Sequence, residues 1–338
     1  MQAIINFEFL ISPVLADISC FASKVNNLRL LSELVSSKVL KTHVEEDIIA
    51  KMSSHDFFPS DKIFQSKLAI FDEEIPYTAK DITRLIYKII ELSSEYEETH
   101  VVEWESAPVV TSRFNSISAA RHDELLQFYS MLLIDGFFSG LKFNPMYYPS
   151  NAPYNEQNVK MSGQVNDVYP RSGMILPADF SHELKIFSDV NVLIEEMDGL
   201  ELYRTASSDI ELKFSFYVGA RSLIKNLGLS TEIGWDDFKI GKEFLESLKS
   251  TQSFQNQEFS SVTYNTVINI LAQSGKDEIN YFYKSDDDSK PRTSGNYKAH
   301  RVHITKSGRA LRLLFWMDDI TTILSNVGNK GELYISQP

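Results

Sequence analysis

Residues 1–135 contain no glycine, and all 14 glycines of the chain lie at or after Gly136. Glycine destabilises a helix because its backbone loses more entropy on folding than that of other residues, so a long stretch without it favours helices. The same stretch cannot contain a glycine-rich phosphate-binding loop. We therefore predict a mainly helical domain over residues 1–143, in which one helix begins at a capping box formed by Thr78 and Asp81.

The composition changes in residues 144–182. Five of the 11 prolines fall there, and Asn, Ser, Gly and Tyr make up much of the rest. Such residues are typical of turns, so the segment is predicted to be a connector or an ordered binding loop that holds the domain boundary. Residues 183–338 mix helical and strand patterns and predict a second domain that ends in a small antiparallel β-meander. The predicted fold class is therefore α+β. The last predicted strands are residues 299–304, 310–316, 320–325 and 332–336.

Charge and cysteine content restrict the possible functions. A formal net charge of −13 disfavours indiscriminate binding to nucleic acid, so any such binding has to be local. The single cysteine, Cys20, excludes an intramolecular disulfide and a metal site with several cysteine ligands. No apolar run approaches the roughly 18 residues that cross a membrane, and Glu8 interrupts the first run, so neither a membrane span nor a signal peptide is predicted. We expect a cytoplasmic protein.

A basic tract interrupts this acidic background. Residues 289–317 contain no Asp or Glu but seven Lys or Arg. If Thr305 opposes Ala310, with residues 306–309 as the loop, two strands form a ribbon whose faces differ in polarity. The apolar face then holds Val302, Ile304, Leu311 and Leu313. The other face pairs His303 with Arg312 and Arg301 with Leu314. A slip of one residue would mix apolar and basic side chains, so this register is the predicted one.

A ribbon with basic side chains on one face can follow a phosphate backbone. The predicted binding residues are Lys298, Arg301, His303, Lys306, Arg309 and Arg312. The ribbon could instead contact an acidic surface of another protein or the chain's own Asp286–Asp288. A third possibility is that the ribbon has no partner. Our leading hypothesis is a non-enzymatic binding or adaptor subunit that contacts nucleic acid through the ribbon and a protein through its acidic body. A role in microbial or phage genome conflict is compatible with it, but no residue indicates that role.

The end of the tract also resembles a known family. Residues 308–334 contain Gly308 and Arg312, an apolar strand, Asp318–Asp319, a second apolar strand, Val327–Gly328 and Tyr334. This order is similar to the last strands of the small RelE/ParE-like toxins, which bind ribosomes or gyrase. The basic pair expected after Val–Gly appears here as Asn329–Lys330. The resemblance implies a RelE-like nuclease that uses the His303 and Arg312 face, and it covers this short segment alone.

A second nuclease hypothesis rests on Asp198, Glu211 and Lys213. Glu211-Leu212-Lys213 resembles the E-x-K strand of the PD-(D/E)xK nucleases, in which two carboxylates hold Mg²⁺ and the lysine polarises the phosphate. If residues 199–205 pair with 209–217 as a hairpin, Asp198 lies about 16 Å from Glu211 at about 3.3 Å per residue, so a shared metal requires a different pairing.

The competing interpretation is an amphipathic hairpin with an ion pair between Glu201 and Lys213. Walker A, G-x-G-x-x-G, H-E-x-x-H and G-x-S-x-G motifs are absent from the sequence. Outside the Mg²⁺-dependent alternative, we therefore predict no cofactor and no metal.

Asp135 is a third candidate because it ends the apolar run Met131–Ile134 and precedes Gly136. A carboxylate at the C-terminal end of a helix meets the negative end of the helix dipole. Strained placement can mark a functional group, but we favour a local hydrogen bond as the explanation for this residue.

Overall fold

The computed structural model describes residues 2–70, 76–148, 157–171, 173–275, 278–283, 290–305 and 309–338. Within these residues the chain forms a mixed α+β protein with three sheets, which confirms the predicted fold class. The chain divides into two compact units, Met1–Leu193 and Ile194–Pro338. This division lies beyond the segment 144–182, where the sequence places the domain boundary.

The first unit is built around a parallel sheet. Its helices are α1 (Phe7–Leu10), α2 (Ser12–Leu15), α3 (Phe21–Ser36), α4 (Ile48–Ser54), α5 (Asp61–Leu68), α6 (Ala79–Leu92) and α7 (Ala119–Ser139). Its strands are β1 (Gln2–Ile5), β2 (Thr42–Val44), β3 (Ser94–Glu95), β4 (Val101–Trp104), β5 (Val109–Arg113), β6 (Phe143–Met146), β7 (Gln157–Tyr169) and β8 (Ala178–Ile186). The parallel sheet has the order β3-β2-β1-β6. All of β1 is buried, as is typical of a central parallel strand.

Local sequence signals account for the ends of α6 and α7. Thr78 and Asp81 form the predicted capping box, in which each side chain accepts a hydrogen bond from the other residue's backbone N–H. Ile82, Ile86 and Ile89 of α6 are buried on one face. α7 begins at an N-cap, Ser118, and ends at Gly140, which adopts a left-handed conformation with φ of 68°.

The prediction of a connector over residues 144–182 is wrong for the residues that the structure describes. β6, the 13-residue strand β7 and most of β8 fall in this segment. β7 pairs with β8 along one edge and with β4 and β5 along the other. Its many Asn, Gln, Ser and Asp residues disfavour a strand locally, but this ladder of pairings overrides that propensity. Residues 149–156, which include Pro149, Pro153 and Tyr154, lie outside the described residues.

The second unit contains a helical layer and a sheet. Its helices are α9 (Gly199–Thr205), α10 (Asp209–Leu227), α11 (Phe244–Ser250) and α12 (Ser260–Leu271), while α8 (Val190–Glu195) spans the division between the units. Its strands are β9 (Phe238–Ile240), β10 (Asn280–Tyr281), β11 (Thr293–Ser294), β12 (Tyr297–His303), β13 (Leu311–Met317) and β14 (Thr322–Asn329). The sheet has the order β10-β12-β13-β14-β9, with β11 also paired to β12.

The predicted hairpin over residues 199–217 is wrong, because both of its arms are helical. Asp198 is the N-cap of α9, and Ser208 forms a capping box with Glu211 at the start of α10. Gly219 of α10 lets the Tyr264 side chain of α12 approach closely, since a Cβ at residue 219 would overlap the Tyr264 hydroxyl group. The two segments that were expected to pair as strands therefore form two helices, α9 and α10.

Three of the four C-terminal strand predictions are confirmed. β12, β13 and β14 overlap the predicted strands 299–304, 310–316 and 320–325. Residues 332–336 do not form a strand. They contribute Ile335 to the apolar cluster of the sheet, and the Ser336 carbonyl accepts a hydrogen bond from Trp316 Nε1 at 2.7 Å.

Candidate nucleic-acid interface

The β12–β13 ribbon has the register that the sequence predicts. His303 lies opposite Arg312, Val302 opposite Leu313, and Arg301 opposite Leu314. The backbone N–H of Ile304 donates to Leu311 O at 2.9 Å, which continues the ladder to the end of the ribbon. The predicted apolar face is buried throughout. Its members are Val302, Ile304, Leu311 and Leu313.

The opposite face of the ribbon presents Arg301, His303 and Arg312, all of them half-buried. Arg301 and Arg312 are diagonal neighbours on adjacent strands, a distance that long side chains can bridge. Burial lowers the pKa of Arg312, and the positive charge of Arg301 lowers it further. Two like charges are therefore held near each other on this face. We call the group Arg301, His303, Arg309 and Arg312 the basic face.

Backbone and amide oxygens hold two of these guanidinium groups in place. Arg312 Nη1 donates to Lys330 O at 2.8 Å, and Arg309 Nε donates to Asn329 Oδ1 at 3.0 Å. Asn329 and Lys330, the residues that follow Val327–Gly328, therefore orient two arginines of the ribbon. The Arg312 Nε atom is buried and forms no hydrogen bond within the described residues.

No acidic side chain neutralises these arginines within the described part of the chain. Arg301, Arg309 and Arg312 form no ion pair with a described carboxylate. The acid adjacent to this face is Glu332, whose Cγ would lie 2.8 Å from a Cβ placed on Gly328, the residue opposite Arg312. One Glu332 oxygen accepts from Tyr334 N at 3.0 Å. The three arginines outnumber this carboxylate, so the described part of the basic face has a net positive charge.

The structure separates Lys298 from the basic face. Lys298 opposes Met317 and shares a face with His300, two residues along the strand. Its side chain lines a cavity of about 380 Å³ beside Asp318 and Asp319. Of the six predicted binding residues, Lys298 therefore lies on the wrong side of the sheet. Lys306 and the acidic run Asp286–Asp288 lie outside the described residues.

The basic face is also narrower than the sequence predicts. Leu314, which lies opposite Arg301, is only 1% exposed, and Trp316 is 2% exposed. Both belong to an apolar cluster with Ile335 from the C-terminal segment. The C-terminal segment thus covers one half of this side of the sheet and leaves the arginines on the other half.

The three residues of the E-x-K hypothesis each have a structural role in the helices. Asp198 accepts hydrogen bonds from the N–H groups of Leu200 and Glu201, both at 3.0 Å. Hydrogen bonds from Ser207, followed by those from Ser208, lower the pKa of Glu211. These are helix-capping contacts, and they account for both carboxylates.

Lys213 Nζ lies 4.3 Å from the centre of the Trp235 ring. The predicted pair between Glu201 and Lys213 is wrong, since Glu201 Oε2 lies 3.8 Å from Arg204 Nη1. Among the described residues, no three His, Cys, Asp or Glu side chains are placed to share a metal ion. The structure therefore does not bring Asp198, Glu211 and Lys213 together as one site.

A buried charge cluster in the first unit was not predicted. Arg121 on α7 donates to both oxygens of Glu8, at 2.7 and 3.0 Å, and to Glu45 Oε1 at 2.6 Å. Glu8 follows β1 and Glu45 follows β2, so the cluster lies at the carboxyl edge of the parallel sheet. Burial raises the pKa of Glu8, and Arg121 offsets part of that effect. The interruption of an apolar run by Glu8 is the sequence signal that could have identified the cluster.

Hydrogen bonds account for Asp135, but they are not local as we favoured, because they come from residues 35–39 positions earlier in the chain. The carboxylate is fully buried and accepts from the Tyr96 hydroxyl and from Thr99 N, the latter at 3.0 Å. His100 Nδ1 lies 3.0 Å from the other oxygen. These contacts fasten residues 96–100, which lead from β3 to β4, onto α7.

Comparison with protein-family models, with curated proteins and with solved structures found no match for this chain. In the described residues, no helix combines the length and apolar character needed to cross a membrane. The basic face is the candidate site that we consider below, because its register and its neighbouring arginines are both present in the structure.

Proposed function

We propose that the protein is a nucleic-acid-binding subunit that contacts its partner through the basic face of the β12–β13 ribbon. The observation that carries this proposal is a group of arginines without acidic partners in the described residues, on a face whose other half is covered. Guanidinium groups form strong, charge-assisted hydrogen bonds to phosphate oxygens, and Arg312 and Arg309 are already oriented by Lys330 O and Asn329.

The acidic remainder of the chain supports the adaptor part of the proposal. With a net charge of −13, the protein repels nucleic acid over most of its surface, so a bound nucleic acid is confined to the basic face. In this proposal the acidic body contacts a protein partner, and the subunit acts in the cytoplasm. An acidic protein surface at the basic face itself is the alternative outcome of the test below.

The test is fluorescence anisotropy with labelled DNA and RNA, in EDTA and over a range of salt concentrations. The variant Arg301→Ala/Arg309→Ala/Arg312→Ala is expected to bind more weakly. Its slope of log K against log salt is expected to decrease by about one for each phosphate that the variant no longer neutralises. Binding in EDTA is expected to equal binding in Mg²⁺, because the proposed contacts need no metal. Thermal unfolding of the variant checks that the ribbon still folds.

A matched control is Lys80→Ala/Arg84→Ala/Lys88→Ala, which removes three exposed cations from α6 in the other unit. This control loses the same net charge as the first variant. Equal decreases in the nucleic-acid affinity of the two variants would show that binding depends on overall charge and not on the basic face. If the unaltered protein binds no DNA or RNA at low salt, the proposal is wrong. Cleavage in Mg²⁺ that Glu211→Ala abolishes would instead support the metal-dependent nuclease.

A further inference from the structure

The basic face has cations, and apart from the half-buried His303 the rings on this side of the described sheet, Tyr297 and Trp316, pack against an apolar cluster. The apolar residues that continue this face, Leu314 and Trp316, are buried against Ile335. The indole N–H of Trp316 is also occupied, since it donates to Ser336 O. In the described part of this face, little aromatic surface is therefore left on which an unpaired base could stack.

An exposed aromatic does occur in the segment that packs on this sheet. Tyr334 is 52% exposed, and its hydroxyl group donates to Glu243 Oε1 at 2.8 Å. Its backbone carbonyl accepts a hydrogen bond from Asn326 Nδ2. Tyr334 is thus the side chain whose removal tests whether base stacking contributes to binding.

Charge and geometry favour phosphates as the contacted groups. Arg301 and Arg312 are diagonal neighbours roughly 7–8 Å apart in the ladder, so their side chains can reach neighbouring phosphates of one backbone. Proteins that bind single-stranded nucleic acid combine a basic groove with aromatic side chains on which successive bases stack. Duplex DNA instead has about one negative charge for every 1.7 Å of axis, which gives a cationic face its strongest partner.

We infer that the basic face binds duplex nucleic acid through its phosphates and without regard to base sequence. The inference rests on the proposed function and names the form of nucleic acid that the same face accepts. Phosphate contacts fix a protein on the duplex but carry no direct sequence information. Binding of this kind distributes the protein along any duplex, and an adaptor would then recruit its protein partner without a specific site.

The experiment compares two duplexes of unrelated sequence with their separated strands, using the full chain and anisotropy at one low salt concentration. The two duplexes are expected to agree within about twofold, and the single strands to bind about tenfold more weakly. Arg301→Ala is expected to weaken both duplexes equally and to reduce each salt slope by about one. Arg301 makes no side-chain hydrogen bond to a described residue, so its replacement leaves the hydrogen bonds of the fold in place.

Tyr334→Ala separates phosphate contact from stacking, because it removes the exposed ring and leaves every arginine. It is expected to change duplex binding by less than about twofold. The inference is overturned if single strands bind more tightly than duplexes, if the two duplexes differ by about tenfold or more, or if Tyr334→Ala abolishes binding. Failure to bind any nucleic acid would instead refute the proposed function, so the two failures are distinguishable.

Discussion

Replacing Arg121 with methionine tests whether the buried charge cluster stabilises the first unit. The side chain is 1% exposed and contacts two fully buried carboxylates, Glu8 and Glu45. Methionine keeps much of the volume but leaves both carboxylates without their main partner. Removal of one partner from a buried ion pair costs about 3–5 kcal/mol. At about 2–4 °C per kcal/mol for a unit of this size, the midpoint of thermal unfolding is expected to fall by about 6–20 °C.

The destabilisation is expected to depend on pH, because burial raises the pKa of Glu8 and Arg121 is the group that opposes this effect. Without Arg121 the folded-state pKa of Glu8 rises further above its unfolded value. The folded variant then binds more protons than the unfolded chain between these two pKa values, so its stability falls as pH rises through that window. The destabilisation is therefore expected to be larger at neutral pH than near the unfolded pKa of the carboxyl group.

Urea unfolding followed by circular dichroism measures both effects, with Lys51→Met as the matched control. Lys51 contacts the same Glu45 at 3.4 Å but its side chain is 31% exposed, so about 0–1 kcal/mol is expected. Adding Glu8→Gln to Arg121→Met is expected to recover part of the stability, since one uncompensated charge disappears. The reasoning is refuted if Arg121→Met costs no more than Lys51→Met at neutral pH, or if its cost does not shrink in acid.

Three further predictions concern the second unit. Glu332→Gln removes the acid beside the basic face and is expected to tighten duplex binding about twofold, measured by anisotropy, whereas unchanged affinity would place Glu332 too far from the phosphates. Gly219→Ala is expected to cost about 1–3 kcal/mol because the new methyl group overlaps the Tyr264 hydroxyl, and Gly331→Ala, which has open space, is the control in the same unfolding assay. Ser208→Ala removes the side-chain cap of α10 and is expected to cost about 1 kcal/mol, and a cost below a few tenths would contradict that role.

The pairing of the β12–β13 ribbon could be predicted because the alternation of apolar and basic side chains is compatible with only one register. Val302 and Leu313 need the buried side of the sheet, and a slip of one residue would move them to the side that carries Arg301 and Arg312. The extent of the basic face could not be predicted in the same way. Its width depends on the contact of Ile335 with Trp316, which no local pattern in the sequence indicates.

The hairpin prediction failed because the apolar residues around Leu212 fit two periods. Leu212, Phe214 and Phe216 alternate as in a strand, yet in α10 the whole run from Phe214 to Ala220 is buried, so periodicity alone does not distinguish the two structures. The sequence signal that distinguishes the helix from the strand is a polar one at the start of α10. Ser208 followed three residues later by Glu211 is a capping box, and it uses the carboxylate that the nuclease hypothesis assigned to a metal.

Whether a charged residue is paired in the folded protein distinguishes structural groups from candidate binding groups. Glu8, Glu45 and Arg121 are charges that the sequence scatters through an apolar region, and folding pairs them with one another away from solvent. Arg301 and Arg312 are charges that folding brings together without an ion pair to a described carboxylate. A mutual repulsion of this kind destabilises the free protein, and an anion that enters between the two guanidinium groups relieves it. Replacement of the pair by neutral residues is therefore expected to reduce binding more than stability, which is the pattern of a recognition site and the reverse of that expected for Arg121.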